Sequence, residues 1–115
     1  MIDKLRDNNK DFLFKAILTL KNIDECYDFF EDVCTVSELK DMAQRLIVAK
    51  MLSEKKVYSE IVNKTGASTA TISRVNRSLE YGRDGYKLVL DRLKENEKGK
   101  RQRKINTIWV RGRNE

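Results

Sequence analysis

Tyr58-Ser-Glu-Ile-Val-Asn-Lys-Thr-Gly-Ala-Ser-Thr-Ala-Thr-Ile-Ser-Arg-Val-Asn-Arg77 decides the fold. Two short helices joined by a tight turn need an inner apolar face on the first, supplied here by Ile61 and Val62. The turn needs a residue that accepts positive φ, and Gly66 is that residue. A small apolar side chain, Ala67, follows it. The second helix then needs a cap and an inner face. Ser68 is the cap, and Ile72 and Val75 face inward at i, i+3. Thr69, Thr71, Ser73, Arg74, Asn76 and Arg77 are left on the outside. Solvated helix faces ordinarily favour Glu, Lys and Gln, so a face of short hydroxyls, Arg and Asn points to a task other than solubility.

Outward from this hairpin, the rest of the chain also reads as helix. The 115 residues include no Pro and only five Gly. The prior is therefore an all-α fold, with about six helices including the helix-turn-helix. A first helix, capped by Asn8 or Asn9, is expected to run to about Lys21. Phe12, Leu13, Phe14, Ala16, Ile17, Leu18 and Leu20 cover more than one of its faces. A 115-residue monomer can hardly bury such a helix, which predicts a homodimer. Ile23, Cys26, Tyr27, Phe30, Val33 and Cys34 predict a second helix over 23–34, with Asp24, Glu25 and Asp28 near its N-terminus. Thr35 and Glu38 have the spacing of a capping box that opens a third helix, running to about Glu54. Gly82-Arg-Asp-Gly85 breaks the chain after the hairpin. Asp84 is expected to cap a last helix carrying Tyr86, Val89, Leu90 and Leu93 to about Asn96. One helical domain over 1–97 is thus expected, followed by a flexible basic tail over 98–115. An apolar island of Ile105, Ile108, Trp109 and Val110 lies in that tail.

Charge is unevenly spread. Residues 1–41 carry six basic and ten acidic side chains, residues 42–97 eleven and seven, and residues 98–115 seven and one. An acidic N-terminal third and a basic remainder suit a protein that associates through one part and faces phosphate with the other. The implied partner is double-stranded DNA. The second hairpin helix would enter the major groove, with Thr69, Ala70 and Ser73 at base edges and Arg74 or Arg77 at the groove wall. Ser59, Lys64 and Thr71 would hold phosphates, with Ser68 and Asn76 completing the DNA-facing set.

Other functions find little support in the residues. The chain has no His, which excludes His-based acid–base catalysis and His metal sites. No phosphate-cradling or CxxC pattern occurs, so neither an enzyme nor a cofactor or metal is expected. Cys26 and Cys34 are expected to be reduced, buried thiols. No apolar run reaches the length of a membrane span, and Met1-Ile-Asp-Lys does not open a secretory signal, so a cytoplasmic location is expected. The alternatives to a DNA-binding regulator are a helical interaction adaptor or an RNA-binding protein, the latter suggested by the Arg-rich tail.

The stretch Gly66-Ala-Ser-Thr-Ala-Thr-Ile-Ser-Arg-Val-Asn-Arg-Ser-Leu79, preceded by the Leu39–Leu52 segment with Ala43-Gln44-Arg45, resembles the Trp-repressor superfamily, most nearly its YerC/YecD-like branch. The similarity covers about residues 10–96. It implies an intertwined homodimer in which helices of both chains form one core. In the tryptophan-sensing members two arginines sandwich the co-repressor indole. Arg74 matches one, and Arg45 matches the other, with Gln44 as the competing alignment. The resemblance places a small-molecule pocket at Arg45, Arg74, Val75 and Ser78. Val75 stands where the sensing proteins have Gly, which argues against tryptophan dependence and leaves the effector open.

Overall fold

The computed structural model describes residues 6–114, with side-chain surroundings through residue 107. Residues 1–5 and 115, and the side chains of Ile108, Trp109 and Val110 from the apolar island, lie outside the described part. Six helices and no strand occur among the described residues: α1 (Asn8–Ile17), α2 (Ile23–Val33), α3 (Val36–Ser53), α4 (Tyr58–Thr65), α5 (Thr69–Tyr81) and α6 (Gly85–Asn114). None is long and apolar enough to cross a membrane. The chain divides into two compact units, Met1–Met42 and Ala43–Glu115.

In the first unit, local capping sets the helix ends. The cap of α1 is Asp7, one residue before the expected asparagines. Its carboxylate accepts the Lys10 N–H at 2.8 Å and pairs with Lys10 Nζ at 2.8 Å. A carboxylate serves both contacts at once, where an Asn amide could serve only one. α1 also ends at Ile17, short of Lys21. Asn22 must be extended (φ −154°) for its side chain to accept the Glu25 N–H at 2.9 Å and cap α2, so the preceding residues cannot stay helical. Glu25 reaches back to the Lys21 N–H at 2.9 Å. The Thr35/Glu38 capping box forms as the spacing predicts, with reciprocal bonds of 2.8 and 3.0 Å. The Thr35 N–H holds the Glu38 carboxyl below its ordinary pKa, helped by the Thr35 hydroxyl. The ionised cap is therefore complete above the usual carboxylate range and fades as pH falls through the lowered value.

No residue described in this unit is buried. Phe12 is 75% exposed and Leu18 83%, while Ile17, Leu20, Phe29 and Phe30 are half-buried. Phe29 and Phe30 meet edge to face at 5.3 Å. Cys26 and Cys34 are unbonded and half-buried, more open than the sequence suggests, because so little packs over α2.

The second unit holds the hydrophobic core. Val48, Ala49 and Met51 of α3 meet Ile61 of α4, Ala67 of the turn, Ile72 and Val75 of α5, and Leu90 of α6. Leu46, Leu52, Val62, Leu79 and Tyr86 pack around them. α3 ends at the Lys55 region in a Schellman arrangement, with the Lys56 N–H on the Met51 carbonyl at 3.0 Å and the Lys55 N–H on the Leu52 carbonyl at 3.0 Å. This puts Lys55 at φ +64°, the left-handed region where glycine is usual.

Two expectations about α6 are corrected. Asp84 does not adopt an extended cap conformation. It sits at φ +61°, and its main-chain carbonyl accepts the Leu88 N–H at 2.9 Å. The helix also does not stop near Asn96 but continues to Asn114. Loss of the apolar stripe removes a packing face, not helix propensity. Lys, Arg, Glu and Gln are good helix formers, no Pro intervenes, and Gly99 costs only about 1 kcal/mol.

Lys55→Gly is expected to stabilise the protein by about 0.5–1 kcal/mol in urea unfolding, because it removes a left-handed side-chain penalty. A destabilised variant would contradict the Schellman geometry.

Candidate nucleic-acid interface

The α4–α5 hairpin is held from inside by three local devices. Gly66 caps α4 at φ +73° and ψ +5°, with its N–H on the Val62 carbonyl. The Thr65 hydroxyl donates to the Ile61 carbonyl at 2.7 Å and accepts the Ala67 N–H at 3.1 Å, so one side chain ties both ends of the turn. From α3, Gln44 Nε2 donates to the Thr65 carbonyl at 3.1 Å. Sequence reasoning missed Thr65 and Gln44 as turn-fixing residues. A hydroxyl just before the capping glycine was a usable local signal for Thr65. The Gln44 bond spans 21 positions and had no local signature.

Ser68 caps α5 at φ −71° and ψ +158° and accepts the Thr71 N–H at 3.1 Å. Its own hydroxyl donates to Thr71 Oγ1 at 3.1 Å. Thr71 is half-buried, so its side chain belongs to the cap more than to the outer face. Ile72 (0% exposed) and Val75 (1%) are the buried rail that sets the rotation of α5. Thr69, Ala70, Ser73, Arg74 and Arg77 are exposed opposite that rail. Thr69, Ser73 and Arg77 repeat at i, i+4, i+8 and so share one stripe. Among the described residues neither Arg74 nor Arg77 lies within ion-pair distance of a carboxylate.

The remaining sequence-predicted residues are more dispersed. Asn76 is half-buried and its amide points to Glu80 Oε1 at 3.5 Å. Ser59 is exposed on the first turn of α4. Lys64 is exposed, 3.7 Å from Glu60 Oε1, a surface pair worth little energetically.

The residues expected around a ligand differ in exposure. Val75 is in the core, Arg45 is half-buried and Arg74 is exposed. Ser78 lines an open recess of about 510 Å³ with Leu46, Gly82, Arg83, Tyr86 and Val89. That wall is largely apolar, with Arg83 its one charged side chain.

Two short helices at a left-handed glycine turn, braced by a third and a fourth helix, define an all-α helix-turn-helix protein. The chain belongs to the Trp repressor protein family, whose sequence profile matches residues 8–94. It is 57% identical over 96 residues to the uncharacterized protein YerC of Bacillus subtilis (strain 168), covering 84% of this chain and 92% of YerC. It is similar to a solved Trp-repressor-type protein of Staphylococcus aureus, with 54% identity and a TM-score of 0.78, over 82% of this chain and 94% of that one. A TrpR-like protein of Eubacterium eligens superposes with a TM-score of 0.77 at 60% identity, over 79% and 94% of the two chains.

Gly66→Ala is expected to cost about 1 kcal/mol, because open space surrounds the new Cβ and only the positive φ is penalised. Gly82→Ala should cost more, since its Cβ would stand 2.4 Å from the Ser78 carbonyl oxygen. Equal losses in thermal unfolding would contradict this distinction.

Proposed function

We propose that this protein is a sequence-specific DNA-binding transcriptional regulator that acts as a homodimer, with α5 in the major groove. The observation that carries the reading is the outer face of α5. Thr69, Ala70 and Ser73 are small, exposed and on the first turns, as base-edge contacts require, and Arg77 extends the same stripe with no ion pair among the described residues. The N-terminal end of a recognition helix is the part that approaches base edges, and its dipole favours nearby phosphate. Ser59 and Lys64 on α4 supply backbone contacts, while Thr71 contributes by holding the cap. Family membership supports the same reading.

Arg77→Ala is expected to weaken duplex binding for every sequence, while Thr69→Val should change preference at one base pair by about 1–3 kcal/mol. Fluorescence anisotropy with matched and altered duplexes reads both effects. Unchanged affinity for Arg77→Ala and unchanged preference for Thr69→Val would reject the docking.

The homodimer accounts for the N-terminal unit. Exposed Phe12, Phe14 and Leu18, with no buried residue through Met42, leave two helices without a core of their own. A second copy would cover them, and an obligate dimer of this kind has no stable folded monomer. Sedimentation at micromolar concentration is expected to give twice 13.5 kDa. A folded monomer at all concentrations would contradict the assembly.

Val75 supports tryptophan independence. Its side chain is a packed member of the core, contributing about 1.5–3 kcal/mol of apolar burial. A buried, β-branched side chain where the sensing relatives have Gly supports DNA binding without tryptophan. Calorimetry is expected to show no micromolar tryptophan binding to the parent and a measurable gain for Val75→Gly. Tryptophan that binds the parent and tightens its DNA complex would refute this.

A further inference from the structure

The family match ends at residue 94, but α6 does not. Leu90 anchors this helix in the core shared with Ile72 and Val75, and the same helix then continues outward. Lys98, Lys100, Arg101, Arg103 and Lys104 follow within seven residues, with no acidic side chain among them. All five are exposed, and none is in an ion pair among the described residues. The helix from Lys94 to Lys104 contains no apolar residue, so it offers no stripe to another protein.

Glu95 and Glu97 can offset the charge of Lys98, Lys100 and Arg101 at i, i+3 and i, i+4, but Arg103 and Lys104 have no acidic neighbour at those spacings on their N-terminal side, and like charges crowd within the cluster. Lys98 and Arg101, Lys100 and Arg103, and Arg101 and Lys104 are i, i+3 neighbours, and Lys100 and Lys104 are i, i+4 neighbours. Like charges at these spacings oppose helix formation. The helix dipole does not explain them, because it acts within the last turn, and α6 ends ten residues beyond Lys104 at Asn114. A polyanion would relieve the repulsion. The cluster extends about 9 Å along the helix axis, starting about 12 Å beyond Leu90. Duplex DNA presents one phosphate charge per roughly 1.7 Å, so a cluster of that length can meet several phosphates.

We infer that residues 98–104 of α6 form a second, sequence-independent contact to the phosphates of duplex DNA, added to the site read by α5. This rests on the DNA-binding reading above. The test uses the full chain and a variant with Lys98, Lys100, Arg101, Arg103 and Lys104 all changed to Gln, which keeps helix propensity. Circular dichroism confirms that the variant is folded. Binding to a random-sequence duplex is then measured between about 50 and 200 mM salt, where each phosphate neutralised contributes a slope of about −0.9. The variant is expected to lose about tenfold or more in affinity, and its salt slope should fall by about 2–4. An unchanged slope, with Arg77→Ala still weakening binding, overturns the second contact and leaves the α5 reading intact. A parent that binds no duplex at low salt overturns both. Loss of single-stranded RNA binding in the variant, with duplex binding unaltered, assigns the cluster to RNA and overturns the inference.

Discussion

Burial of Ile72 and Val75 against Ile61 and Val48 is the interaction on which the rest of the second unit depends. Each is essentially inaccessible, and side chains of this size contribute about 1.5–3 kcal/mol apiece when buried. Their i, i+3 spacing leaves α5 only one rotation that keeps both inside. That rotation fixes which side chains face outward, so the core and the candidate interface are two sides of one constraint. Gly66, Thr65 and Ser68 then set the angle and starting point of the helix. Gln44 fastens the turn to α3, so that the outer face is carried on a braced support.

The two units solve the burial problem differently. The second closes a core with contributions from four helices and the turn. The first has capped, well-formed helices and no buried residue among those described. Caps explain why α1 and α2 are helices, but they do not supply the apolar burial that would stabilise them alone. In the proposed dimer this shortfall is the assembly signal, and folding of the N-terminal helices is coupled to association. A regulator built this way presents two reading heads only when it is assembled.

Much of the hairpin was legible in the sequence because its rules are local. Gly66 at positive φ, Ser68 as a cap, Ala67 inside and the Ile72–Val75 rail all follow from spacing within about ten residues. The Thr35/Glu38 box was legible for the same reason. Asp7 was overlooked because three neighbouring polar residues could each cap, and only the second contact to Lys10 separates them. The left-handed Lys55 carries no glycine signature. The continuation of α6 was hidden because periodicity reports a buried face, and a solvated helix has none. The apolar recess beside Ser78 joins α3, α5 and α6, so no single stretch announces it.

Selection of bound duplexes from a random library tests the central claim most directly, because it asks whether the outer face of α5 reads bases in a two-fold assembly. The account predicts enrichment of a near-palindromic site whose half-sites lie about one helical turn, or a multiple of it, apart. A bound pool indistinguishable from the starting library would contradict it.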